Sequence, residues 1–136
     1  MNQEHGRRVV YIEDDQEMID LVELILTRRG YQVKGADGGR NGLDMILEDP
    51  PDLVLLDLMM PGMDGWEVYQ QLKANPKTRQ IPVIIVTAKA QAIDRVLGLH
   101  IAKVDDYISK PFRPQELVDS IDHVLSRASQ QDPATS

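Results

Sequence analysis

Pro50-Pro51-Asp52-Leu53-Val54-Leu55-Leu56-Asp57-Leu58-Met59-Met60-Pro61-Gly62 is the stretch that decides the fold. The two prolines interrupt whatever precedes them, and Leu53 to Leu56 is the most continuous apolar run in the chain. A short run that is apolar at every position, not at alternate ones, reads as a strand covered on both faces, which is the habit of parallel sheets. It ends at a carboxylate, Asp57, before the turn cluster Pro61-Gly62-Met63-Asp64-Gly65. A central strand that delivers an acid at its C-terminal end is therefore predicted.

Working outward, the same pattern recurs. Val9 to Ile12 is an apolar run stopping at Glu13-Asp14-Asp15. Ile19, Val22, Ile25 and Leu26 follow at helical spacing, with Arg28-Arg29-Gly30 read as a cationic last turn and a glycine stop. A second strand starts near Tyr31. Gly35 to Gly42 lacks the Gly-Lys-Ser/Thr ending of a phosphate loop and reads as a turn into a helix through Leu43, Ile46 and Leu47. After the central strand, a helix with Trp66, Val68 and Leu72 closes at Asn75-Pro76. Ile81 to Val86 is the fourth strand, ending at Thr87-Ala88. A helix around Ile93, Val96 and Leu97 leads to a fifth strand at Tyr107-Ile108, which ends at Lys110-Pro111. The final helix carries Leu117, Val118, Ile121, Val124 and Leu125 on one face.

Five strands alternating with five helices predict an α/β, doubly wound (βα)5 three-layer sandwich. In open sheets of this class the functional crevice lies outside the carboxyl ends of the strands. Glu13, Asp14, Asp57, Thr87 and Lys110 all stand at such ends, contributed by four different runs. Each has an ordinary explanation when taken singly: helix cap, turn residue or solvated lysine. For Asp15 capping is the preferred reading. The conjunction of oxygen-bearing and cationic side chains at four strand ends is what capping preferences do not explain.

The bulk properties narrow the function. The chain has 136 residues and no cysteine, so a single domain without disulfides or thiolate metal sites is expected. Residues 1–7 are expected to form a flexible tail, 8–128 the domain, and 129–136 a disordered polar tail. The apolar runs are too short to cross a bilayer and the polar start MNQEHGRR is no signal peptide, so a cytoplasmic location is expected. A formal net charge of -7 disfavours direct nucleic-acid binding and favours divalent cations. His5, His100 and His123 are too dispersed to form a relay or a metal site.

The segments Val10-Tyr-Ile-Glu-Asp-Asp15, Leu55-Leu-Asp-Leu-Met-Met-Pro-Gly-Met-Asp-Gly65, Val86-Thr-Ala88 and Asp105-Asp-Tyr-Ile-Ser-Lys-Pro-Phe112, in that order, resemble the hallmark stretches of the response-regulator receiver family of two-component signalling, the CheY-like proteins. The resemblance runs from about Arg8 to Leu125. It implies a flavodoxin-like sheet in the order 2-1-3-4-5, for which a receiver is one of the standing examples. It also implies that Asp57 accepts a phosphoryl group, that Glu13, Asp14, Asp57 and the Met59 carbonyl hold Mg2+, with Glu13 acting through water, and that Lys110 pairs with the phosphate. Thr87 and Tyr107 would form the switch: the threonine hydroxyl moves to the phosphoryl group and the tyrosine turns inward. The surface of the fourth helix, fifth strand and fifth helix would change as a result. Lys110-Pro111 stands where the family has a cis peptide. Lys103-Val104 stands where many relatives carry Gly-Ala, and Met59 and Lys89 flank the pocket.

The resemblance further implies a sensor histidine kinase or phosphotransfer protein as phosphate donor, and a downstream protein target, an output domain or a phosphorylation-dependent homodimer as the recipient of the signal. No enzyme activity is expected beyond the chain's own phosphotransfer and dephosphorylation. Two alternatives are a receiver-like binding module that works without phosphorylation, and a Mg2+-dependent aspartate-nucleophile phosphohydrolase. The first should have lost the nucleophile, an acid or the lysine; the second needs an acid two residues after Asp57, where Met59 stands. A DNA-binding transcription factor would need an output domain, and only a short polar tail follows the last helix in this sequence.

Overall fold

The computed structural model describes residues 6–88 and 103–130, with side chains to residue 128. Five strands, β1 (Arg8–Glu13), β2 (Gln32–Asp37), β3 (Leu53–Leu56), β4 (Val83–Thr87) and β5 (Asp106–Ser109), form one parallel sheet in the order β2-β1-β3-β4-β5. Four helices are described: α1 (Gln16–Thr27), α2 (Gly39–Glu48), α3 (Gly65–Ala74) and α4 (Pro114–Gln130). The helix expected around Ile93, Val96 and Leu97 lies outside the described residues, as do Lys89, His5 and His100. The sheet order is the predicted one. The last helix runs to Gln130, past the boundary at 128 that the sequence reading drew.

Alternation along the strands sorts the core into two layers. Val9 and Tyr11 of β1, Leu55 of β3, and Ile84 and Val86 of β4 pack with Ile19, Val22 and Leu26 of α1 and with Leu117, Val118 and Ile121 of α4. Their neighbours Val10, Ile12, Val54, Leu56, Val83 and Ile85 face Leu43 and Ile46 of α2 and Val68 and Leu72 of α3. All four residues of β3 are buried, as the unbroken apolar run requires.

Three boundaries differ from the sequence reading, each for a physical reason. Gly35 continues β2 instead of opening a turn. A Cβ there would lie 2.2 Å from Cγ2 of Ile19, so the glycine admits α1 against the sheet. The turn is at Gly38, whose φ of 99° suits glycine, and α2 starts directly after it. β4 starts at Val83, not Ile81, because Pro82 has no N–H for a ladder bond; its carbonyl still accepts from the Val54 N–H at 3.0 Å. Helix α1 ends at Thr27 with Arg28 as its cap, so the arginine pair lies beyond the last turn, and Gly30 has φ 90°.

Lys103, at the position noted for departing from Gly-Ala, adopts φ 67°, a left-handed conformation that costs a side-chain-bearing residue roughly 1–2 kcal/mol. Val104 beside it is buried in the α2–α3 layer.

Candidate functional site: a carboxylate pocket at the strand ends

β1 and β3 lie side by side in register, Ile12 opposite Leu56, so the residues that follow each strand emerge together. Carboxylate oxygens of Glu13, Asp14 and Asp57 all lie within 4.8 Å of one another. Glu13 and Asp57 are 1% and 3% exposed, whereas Asp14 is open to solvent. Asp15 is not part of the group. It is the N-cap of α1, accepting from the N–H groups of Glu17 and Met18, as the capping preference of aspartate led us to expect.

Lys110 reaches the group from the end of β5. Its Nζ donates to Glu13 Oε1 at 2.5 Å and to Asp57 Oδ2 at 3.4 Å. Burial works to lower the ammonium's pKa, but the hydrogen bond to Glu13 and the charges of Asp57 and Glu13 outweigh it, and the pKa is raised. Lys110 is thus a fixed cation at neutral pH. Its peptide bond to Pro111 is cis.

Asp57 Oδ1 accepts from the Met59 main-chain N–H at 3.0 Å, while the Met59 side chain is exposed. Helix α3 begins against the same loop. Asp64 caps it through the Trp66 N–H, and a Cβ on Gly65 would lie 2.4 Å from the Asp57 carbonyl oxygen. Thr87 closes β4 opposite Ser109, and its carbonyl accepts from the Lys110 N–H at 3.0 Å. The Thr87 hydroxyl is buried and has no hydrogen-bond partner among the described residues. A buried donor left unpaired is costly, and no described residue supplies its acceptor.

Tyr107 is 3% exposed and shares the α2–α3 layer with Val104 and Ile85. Its ring fills apolar space beside these residues.

The sequence reading missed one member of the site. Tyr11, fully buried, donates its hydroxyl to Glu13 Oε1 at 2.7 Å. Burial first, and then the Glu13 carboxylate, hold its pKa far above the ordinary tyrosine value, so it remains a donor. The available signal was the strand period: Tyr11 and Glu13, two apart, share one side of β1.

A family model described as the response regulator receiver domain matches residues 9–122. The chain belongs to this family. Among solved structures, the N-terminal domain of a response regulator receiver protein from Methanoculleus marisnigri is 37% identical, with a TM-score of 0.71, covering 88% of this chain and 97% of that one. The signal receiver domain of a signal transduction histidine kinase from Syntrophus aciditrophicus is 30% identical with a TM-score of 0.81, covering 93% and 96%. A CheY-like response regulator receiver domain protein from Methanospirillum hungatei is 29% identical with a TM-score of 0.83, covering 92% and 98%. Receiver domains are signalling domains of two-component systems, not classical enzymes. Among the described residues of this receiver no helix is long and apolar enough to cross a membrane.

The donor set also fits the cation that the family implies. Mg2+ takes hard oxygen ligands and keeps several of its waters, so it needs only one or two carboxylates directly. Asp14 and Asp57 have acceptor capacity to spare. Glu13 does not: both of its oxygens are engaged, Oε2 by the N–H groups of Asp14 and Asp15 at 3.2 Å each.

Proposed function

We propose that this receiver is a phosphorylation-dependent switch in which Asp57 accepts a phosphoryl group from a phosphohistidine of a sensor kinase or phosphotransfer protein, or from a small acyl phosphate. The single observation that carries the reading is the junction of Glu13, Asp14 and Asp57 within 4.8 Å, with Lys110 bonded to two of the three. A carboxylate oxygen of Asp57 attacks phosphorus, forming an O–P bond as the donor's N–P or O–P bond breaks and the donor keeps the bonding pair. Asp14, Asp57 and the Met59 carbonyl would hold Mg2+; Glu13, whose acceptor positions are filled by protein donors, would stand behind them rather than reach the ion through water as the resemblance implies. When bound, the ion neutralises charge on the transferring group. Lys110 adds a second positive charge, and the Thr87 hydroxyl donates to a phosphoryl oxygen. The group is later lost by hydrolysis.

The readout would be a shift between conformations that exist beforehand, since a modification biases an equilibrium only through its different contacts in the two states. Thr87 and Tyr107 would form the switch, the tyrosine ring following the threonine as its hydroxyl moves to the phosphoryl group. The responding surface would be the face made by the fourth helix of the sequence reading, β5 and α4, open to a downstream protein, an output domain or a second copy. Location in the cytoplasm suits such a relay.

Incubation with acetyl phosphate and Mg2+, followed by intact mass measurement, should give one phosphoryl adduct that Asp57→Asn abolishes. No adduct, or one that survives the substitution, refutes the reading. It would leave a binding module that works unphosphorylated; the phosphohydrolase alternative is disfavoured by Met59 standing where that chemistry needs an acid.

A further inference from the structure

The Glu13 carboxylate is saturated. Oε1 accepts from both the Tyr11 hydroxyl, at 2.7 Å, and Lys110 Nζ, at 2.5 Å, while Oε2 takes the two main-chain N–H groups. A carboxylate has about four acceptor positions, and none of these donors is redundant in a residue that is 1% exposed. Lys110 is held chiefly by Glu13, its distance to Asp57 being the longer at 3.4 Å. If Asp57 carries a phosphoryl group, Lys110 has to turn toward it and leave Oε1. Without another donor, that oxygen would stay buried, charged and bare.

We propose that Tyr11 is a positioning residue that keeps Oε1 of Glu13 hydrogen-bonded while Lys110 passes from Glu13 to the phosphoryl group on Asp57. The inference rests on the phosphoacceptor reading of Asp57. Tyr11 never touches the reacting atoms. It acts by removing the desolvation penalty that would otherwise oppose the movement of the lysine. Its ring is fixed in the α1–α4 layer by Val9, Leu55 and their neighbours, so the hydroxyl stays in place when the ammonium leaves.

Tyr11→Phe deletes the hydroxyl and keeps the ring. Binding of beryllofluoride, a mimic of the aspartyl phosphoryl group, should weaken at least about tenfold, because an oxygen must be left unpaired when Lys110 departs. Mg2+ binding, read separately from the shift in melting temperature, should change by less than about twofold, since Lys110 stays on Glu13 in that step. In the background Glu13→Gln, where no charge is stranded, adding Tyr11→Phe should weaken beryllofluoride binding by no more than about threefold. A general packing defect would carry the same penalty into both backgrounds, and that result overturns the proposal. So does beryllofluoride binding by Tyr11→Phe at wild-type strength. Wild-type protein that takes neither beryllofluoride nor a phosphoryl group refutes the phosphoacceptor reading itself, and the role of Tyr11 falls with it.

Discussion

The two ends of the sheet are built from similar charges and differ in what water can reach. At the N-terminal edge, the Arg8 guanidinium donates to Asp49 Oδ2 at 2.6 Å and to the Pro50 carbonyl at 2.6 Å, and the Arg8 N–H donates to Asp52 at 2.7 Å. At the C-terminal edge, Lys110 holds Glu13 at 2.5 Å and Asp57 at 3.4 Å. The Arg8–Asp49 side chains are 40% and 58% exposed, the Lys110–Glu13 side chains 15% and 2%. An exposed pair is worth about 0–1 kcal/mol, because water competes for both ions. A buried one is expensive to assemble and more expensive to break, since either partner alone is a stranded charge. The contrast teaches that the Arg8 end is a solvated clasp, while the Lys110 end gathers two carboxylates around one lysine out of reach of most water.

The largest expected effect follows from breaking the buried end. Lys110→Met should lower the unfolding free energy, measured in urea without divalent ions, by about 3 kcal/mol, because Glu13 and Asp57 lose their shared cation. A loss no greater than that of an exposed pair would erase the distinction between the two ends. Mg2+ sharpens it from the other side. If Asp14 and Asp57 bind the ion only in the folded state, the protein at a hundred times Kd should gain about 2.7 kcal/mol, with the melting temperature falling back on addition of a chelator. A melting temperature indifferent to Mg2+ would contradict the metal reading. The smallest effect belongs to the exposed end: Arg8→Ala should cost less than about 1 kcal/mol in the same urea assay.

Most of the strand framework was legible because buried parallel strands announce themselves as unbroken apolar runs, and β3 is the plainest case. The polar residues at the ends of β1, β3, β4 and β5 were legible for the same reason, since a run that stops abruptly at a charge marks where the sheet meets the crevice. What one-dimensional pattern could not carry was the distance between elements. Gly35 looked like turn chemistry, yet it is there to let Ile19 approach. Tyr11 looked like core, and it is core, but its hydroxyl also meets Glu13 two residues on along the same side of β1, a polar use that an apolar-run pattern hides. Tyr107 belongs to the same class: its sequence position placed it on β5, and only packing shows it buried in the α2–α3 layer.

Gly65 has a consequence for how force would travel through the molecule. Because nothing larger than a hydrogen fits between α3 and the Asp57 main chain, that helix and the loop after β3 form a close abutment. A strain introduced at Asp57 cannot be absorbed by retreat on that flank. Any adjustment must come from the opposite side of the pocket, where the buried Thr87 hydroxyl has no hydrogen-bond partner among the described residues.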